Sequence, residues 1–150
     1  MSAHSIQFRV YYEDTDANGI VYHARYLAFA ERARTEAIRS LGCSVLELAN
    51  EHKLVFVVRD ITLSCKKPLR LDDIFSVHTV LTKLGTASCD MKQTIVRDLQ
   101  ICAIMNVRLG CVHLETNCPT KFPTSWYSLL QKLNCHEEEY LSALHQKQIV

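Results

Sequence analysis

Residues 23–41 read HARYLAFAERARTEAIRSL, and their apolar side chains recur with the period of an α-helix. One stripe of this helix consists of Tyr26, Ala30, Ala33, Ala37 and Leu41. Most of the stripe is alanine, so other backbone can approach it closely. Charged residues lie largely off the stripe, which predicts one long helix with a buried face and a solvated face.

Signals on either side of this helix define its neighbours. Gly42 stands where a left-handed C-terminal cap is expected. Ser44-x-x-Glu47 is a capping-box pattern, and it predicts a short second helix to about Asn50. Before the long helix, residues 6–13 alternate in polarity and predict a strand. The face assigned to the core holds Ile6, Phe8, Val10 and Tyr12.

The second half of the chain is rich in strands. Long strands are predicted at 54–65, 73–84, 86–97 and 101–114, with Gly85 in one turn, and residues from 125 to about 147 are predicted to be helical. Because helices do not alternate with these strands, an antiparallel sheet covering one long helix is favoured. That α+β arrangement is the hot-dog fold.

Composition narrows the class of protein. The chain has 150 residues and a formal net charge of +1, which predict a single domain over 1–150 and no nucleic-acid partner. No apolar run approaches the length of a membrane span, and no secretory signal is expected at the start. The 7 cysteines include no C-x-x-C pair. We therefore expect reduced thiols, no metal site and a cytoplasmic location.

The polar loop at residues 14–19, DTDANG, allows three interpretations. It matches the first half of a calcium-binding loop, but the position that needs a bidentate glutamate is Arg25. It is also an ordinary turn, since Asn-Gly and Asp satisfy loop backbones. The third interpretation is catalytic, because a carboxylate here would lie beside the positive N-terminus of the long helix.

The segment from Arg9 to Tyr26, RVYYEDTDANGIVYHARY, resembles the active-site segment of the 4-hydroxybenzoyl-CoA thioesterase family. It looks closest to the YbgC-like, Tol-Pal-associated acyl-CoA thioesterases. The similarity continues through 31–36, 55–60 and 67–73. It covers roughly residues 6 to 110 and is weak after 115, so a divergent helical tail is expected from about 119.

The resemblance implies hydrolysis of acyl-CoA, without a metal or redox cofactor, by a dimer or a dimer of dimers. Asp16 matches the catalytic aspartate, as nucleophile or general base. The backbone N–H of His23 matches the group that polarises the thioester carbonyl, and the His23 side chain supports hydrolysis. Gly19 is expected to let substrate approach, and Glu31 to line the acyl pocket.

Other candidate residues have competing interpretations. Glu31 is most simply explained by an ion pair with Arg34, three residues further along the helix. Tyr22 is a candidate substrate contact, although Tyr22 and Tyr26 are better explained by packing. A basic group could bind the CoA phosphates or simply mark a solvated strand end; its members are Arg59, Lys66, Lys67 and Arg70.

Two other functions remain open. One is a hot-dog 3-hydroxyacyl dehydratase, which would need a histidine and an acid placed for dehydration. The other is a non-catalytic module that binds acyl carrier protein or a complex without hydrolysing any thioester, an alternative kept open by the unmatched C-terminus with its acidic run 137–139.

Overall fold

The computed structural model describes residues 3–134. Strand β1 (His4–Arg9) is followed by a 3₁₀ turn (Tyr12–Asp14), helix α1 (His23–Arg39) and helix α2 (Val45–His52). Four long strands come next: β2 (Leu54–Cys65), β3 (Ile74–Leu84), β4 (Ser88–Arg97) and β5 (Gln100–His113). Helix α3 (Thr124–Leu130) and a 3₁₀ turn (Gln131–Leu133) complete the described part.

The strands form a 5-stranded antiparallel sheet in the order β1-β3-β4-β5-β2. Helix α1, with 17 residues, lies against one face of this sheet. Its predicted stripe is confirmed, since Tyr26, Ala30, Ala33 and Ala37 are all buried. The α+β prediction is therefore confirmed.

The caps of the helices follow the sequence signals. Gly42 adopts a φ of 92°, in the left-handed region that favours glycine. The Ser44 side chain accepts a hydrogen bond from the Glu47 amide at 3.1 Å, and Glu47 returns one to the Ser44 amide at 3.2 Å. The capping box predicted at the start of α2 is therefore confirmed.

The prediction of a strand through residue 13 is wrong. β1 ends at Arg9, and Tyr12 is 83% exposed rather than part of the core. The cause is Asp14, whose buried carboxylate accepts a hydrogen bond from the Tyr11 amide at 2.8 Å and bends the chain into a 3₁₀ turn. The alternation of polarity continued past the point where strand pairing stops.

The C-terminal part of the described chain belongs to the core. Trp126, Leu130 and Leu133 are buried, and Trp126 lies 6.3 Å from Phe56 of β2, ring centroid to ring centroid. The later part of the predicted helix, with Cys135, His136 and the acidic run 137–139, lies outside the described residues. Among residues 3–134, no helix is long and apolar enough to cross a membrane.

Candidate functional site

The loop between the first 3₁₀ turn and α1 is a small closed hairpin. Thr15 and Val21 pair as an antiparallel bridge, and the Asp16 amide donates to the Ile20 carbonyl at 2.9 Å. One Asp16 carboxylate oxygen, Oδ1, accepts a hydrogen bond from the Asn18 amide at 2.8 Å. The other oxygen, Oδ2, has no hydrogen-bond partner within residues 3–134. Asp16 is thus held in a half-buried position with one carboxylate oxygen available.

A second aspartate fixes this hairpin to the start of α1. Asp14 is 3% exposed, and its Oδ1 accepts hydrogen bonds from Arg25 Nη2 at 2.7 Å and Nε at 3.0 Å. The Asp14 carbonyl also accepts from the Tyr22 amide at 2.9 Å. Sequence reasoning identified Arg25 only as a cation unsuited to a calcium loop. In the structure that cation neutralises Asp14 and holds the hairpin against the helix.

The N-terminus of α1 is open. Its N-cap is Tyr22, which makes no side-chain capping bond, and no acidic residue lies in the first turn. The amides of His23 and Ala24 are among those that have no intrahelical acceptor by position. Together with the helix dipole, they form a partly positive end that favours an incoming carbonyl oxygen or an anion.

Asp16 lies on the hairpin that leads into this open helix end, and His23 is the first residue of the helix; in the described residues no hydrogen bond joins their side chains. His23 is exposed, and its ring lies 4.6 Å from the ring of Tyr22, centroid to centroid. Tyr22 is 46% exposed and therefore accessible to a ligand. Tyr26 is buried, which raises the pKa of its hydroxyl to about 12, and the packing interpretation of Tyr26 is confirmed.

Gly19 completes the hairpin turn. Its φ of 77° lies in the left-handed region, and its amide donates to the Asp16 carbonyl at 3.0 Å. A Cβ built at this position would meet no atom within 4 Å. Within this chain the glycine is therefore required by backbone conformation, and the space in front of it is open.

Part of the predicted basic group lies beside the hairpin. The Val21 amide donates to the Leu69 carbonyl at 2.8 Å, and Ile20 pairs with Arg70. Lys67 donates from Nζ to Gln100 Oε1 at 3.0 Å, and both Lys67 and Arg70 are exposed. Strand pairing thus brings Arg70 beside the hairpin that holds Asp16, and Lys67 lies three residues before it in the same segment.

Arg59 lies elsewhere, so the predicted single basic group is divided. It sits at the irregularity between Val58 and Asp60 in β2, and a Cβ built at Gly110 would lie 2.8 Å from Arg59 Nε. Gly110 shares its face of β5 with the exposed Asn106 and Arg108, opposite the face that α1 covers. Arg59 therefore points to the outer face of the sheet, because the bulge shifts the alternation that the sequence suggested.

Glu31 lines a cavity of about 430 Å³ between α1, α2 and β2. The walls are mainly apolar: Ile38, Val45, Leu46, Ala49, Val55, Phe56, Val58 and Leu109. The expected ion pair between Glu31 and Arg34 is wrong. Glu31 Oε1 instead accepts a hydrogen bond from Thr35 Oγ1 at 3.1 Å, and Arg34 is turned inward to Gln93.

Cys111, His113 and Cys118 are close in sequence and of residue types that can bind a metal, but they do not converge on one point in the described part of the chain. Cys111 is buried in the core, Cys118 is exposed, and His113 Nδ1 accepts a hydrogen bond from the Glu115 amide at 3.2 Å. Within residues 3–134, no group of three or more His, Cys, Asp or Glu side chains could hold a metal ion.

Comparisons with known proteins identify the family of the chain. The profile of the thioesterase-like superfamily matches residues 10–133. The chain is 40% identical over 119 residues to the acyl-CoA thioesterase YbgC of Haemophilus influenzae, an alignment that covers 79% of this chain and 88% of the relative. It is 49% identical over 88 residues to the acyl-CoA thioester hydrolase YbgC of Escherichia coli O6:H1, covering 59% of this chain and 65% of the relative.

A solved structure extends the similarity to the whole described fold. The crystal structure of a probable thioesterase from Bartonella henselae superposes with a TM-score of 0.78 at 34% identity, covering 81% of this chain and 100% of that chain. The hot-dog prediction is thereby confirmed. The chain belongs to the thioesterase-like superfamily and, within it, to the YbgC-like group.

Proposed function

We propose that the protein hydrolyses acyl-CoA, converting the thioester and water into a free carboxylic acid and CoA. Curated relatives that carry this activity in their names support the proposal. The observation that carries it is the Asp16 carboxylate, which keeps one oxygen available on a hairpin pinned to the uncapped start of α1. A carboxylate beside polarising amides is what acyl transfer to water requires.

In the proposed reaction, the thioester carbonyl oxygen accepts a hydrogen bond from the His23 amide. Asp16 then either attacks the carbonyl carbon or removes a proton from the attacking water. In both cases the carbon–sulfur bond breaks and CoA leaves as a thiol. If Asp16 is the nucleophile, the acyl group remains on its carboxylate as an anhydride, and water then cleaves this anhydride to release the acid and restore Asp16. The exposed His23 imidazole assists water or the leaving thiolate.

We further propose that cations bind the CoA phosphates. Lys67 and Arg70 are exposed beside the hairpin, where the pantetheine and nucleotide would leave the site. Arg59, on the outer sheet face, would serve a neighbouring subunit of a homo-oligomer. The described cysteines are free, which fits a cytoplasmic enzyme.

The decisive variant is Asp16→Asn. The amide oxygen of asparagine can still accept from the Asn18 amide, so the hairpin survives while the reacting carboxylate is lost. We expect the turnover of acyl-CoA, measured as the release of free thiol, to fall by roughly 10³-fold or more. Asp98→Asn removes the same charge from an exposed turn and serves as the matched control.

Several outcomes would contradict the assignment. Full activity of Asp16→Asn would remove Asp16 from the chemistry. An enoyl product would indicate a dehydratase, and binding of acyl carrier protein without hydrolysis of any thioester would indicate a non-catalytic module. Single turnover in heavy-oxygen water tests the nucleophilic role of Asp16, because an acyl–aspartate anhydride that water cleaves at the aspartyl carbon transfers a light oxygen of Asp16 to the product.

A further inference from the structure

A buried arginine, Arg34, lines the cavity described above. Arg34 is 7% exposed, and its Nη1 donates to Gln93 Oε1 at 3.0 Å. Gln93 is itself fully buried and donates to the Ala30 carbonyl at 2.8 Å and to Thr79 Oγ1 at 3.0 Å. The guanidinium is therefore held in place by a neutral side chain that has no further capacity to donate to a ligand.

Most of the donors of Arg34 remain unused. A guanidinium has five N–H groups, and the bond to Gln93 is its one side-chain hydrogen bond within residues 3–134. No carboxylate of the described residues lies within ion-pair distance of Arg34, although the negative charge of Glu31 is near enough to act on it and both side chains line the cavity. A buried arginine usually has a charged or multiply hydrogen-bonded partner, so open donors on an apolar cavity indicate a ligand acceptor.

The helix connects this cavity to the open helix end. At 3.6 residues per turn, Arg34 points within about 20° of the direction of His23 and lies about 16 Å further along the axis. Leu27, which is 40% exposed, and Glu31 lie between them along the axis, about 40° and about 80° to the same side of His23. An acyl chain whose carbonyl meets the His23 amide would thus follow this face into the cavity.

The charged side chains that line the cavity indicate which chemical group the far end of the acyl chain should carry. Arg34 can donate to an oxygen, whereas Glu31 lines the same cavity and can accept a proton donor. A hydroxyl group satisfies both, since it accepts from the guanidinium and donates to the carboxylate. A methyl end would displace water from these donors without replacing its hydrogen bonds, and a carboxylate end would face the negative charge of Glu31.

We propose that the cavity beside Arg34 selects acyl chains that carry a hydroxyl group at their far end. This inference rests on the proposed thioesterase function and specifies its substrate class. The acyl chain has to span the distance from the His23 amide to Arg34, and a dodecanoyl chain provides a suitable probe.

The test compares three thioesters of one chain length: dodecanoyl-CoA, ω-hydroxydodecanoyl-CoA and the ω-carboxy analogue. For the wild-type protein we expect kcat/KM for the ω-hydroxy substrate to exceed that for dodecanoyl-CoA by about tenfold or more. The ω-carboxy analogue should be the poorest of the three. Glu31→Gln should raise kcat/KM for the ω-carboxy analogue severalfold.

Variants of Arg34 test whether this residue causes the preference for the ω-hydroxy substrate. Arg34→Met should reduce the ratio between the ω-hydroxy and methyl-ended substrates to near one, while Arg34→Lys should keep part of it. Arg32→Met, at an exposed position of the same helix, should leave the ratio unchanged. Circular dichroism melting identifies any variant whose change comes from unfolding.

The wild-type comparison decides the proposal even if Arg34→Met does not fold. Equal kcat/KM for the ω-hydroxy and methyl-ended substrates would overturn this inference while leaving the thioesterase function intact. Hydrolysis of none of the three, nor of any shorter acyl-CoA, would overturn both.

Discussion

Two neighbouring aspartates have different tasks because their surroundings differ. Asp14 is buried and bound by Arg25 and by the Tyr11 amide, so both of its oxygens are occupied. Asp16, two residues later, uses one oxygen in the turn and keeps the other available. Asp14 is therefore a positioning residue, and the geometry of the Asp16 loop depends on it.

Arg25→Met tests this positioning role. The change leaves a carboxylate that is 3% exposed without its cation, which should lower the free energy of unfolding by about 2 kcal/mol, less than for a fully buried pair because Arg25 is partly exposed. Urea unfolding measures the loss, and kcat should fall at temperatures where the variant stays folded.

Glu13→Gln provides the control, since Glu13 is 70% exposed and 3.6 Å from Arg25. Its effect on stability should stay below about 0.5 kcal/mol. If Arg25→Met were as stable and as active as Glu13→Gln, the Asp14 anchor would have no role in the site.

At the scale of secondary-structure elements, features set by short segments could be predicted from the sequence, whereas contacts between residues distant in sequence could not. The alanine stripe of α1, the Gly42 cap and the Ser44 capping box are properties of short segments, and each was predicted correctly. The inward turn of Arg34 depends on Gln93, which is distant in sequence. Period-two alternation likewise gives no sign of the bulge that moves Arg59 to the outer face.

The strands β4 and β5 bury two thiols whose titration predicts a pH dependence of stability. Burial raises the pKa of Cys89 to about 12 and that of Cys111 to about 11, from an ordinary value of 9.0. Above about pH 9 the unfolded chain loses these protons while the native state keeps them. The contribution of these two thiols to the free energy of unfolding is therefore fully present below about pH 9, and it declines as the pH rises toward 11 and 12.

Urea unfolding under reducing conditions at several pH values between about 8 and 11 measures this decline. Cys89→Ala should lose some stability at every pH because of the cavity it creates, but its decline with pH should be shallower than that of the wild type. Cys65→Ala, at an exposed thiol, should keep the wild-type slope. Parallel slopes for Cys89→Ala and the wild type would contradict the assignment.

At the scale of the whole molecule, β2 ends the sheet, so in the described residues one side of this strand has no partner. An open edge strand is a template for pairing with another chain, and Val58 on it is 49% exposed. Two-fold symmetric antiparallel pairing of β2 with its copy would join the sheets of two subunits. That arrangement supports the proposed dimer and would bring the outer-face Arg59 toward a second subunit.

The sequence at the middle of β2 specifies how two such strands would pair. A two-fold axis between Arg59 and Asp60 places each arginine opposite the aspartate of the other chain, giving two complementary cross-strand pairs. Asp60→Arg would place like charges opposite each other and should raise the dimer dissociation constant by about tenfold, as measured by sedimentation equilibrium. The exchange Arg59→Asp with Asp60→Arg restores both pairs and should restore the dimer, whereas Asp98→Arg should have no effect. A double variant that stays dissociated would refute this register, and a monomeric wild type would refute the pairing itself.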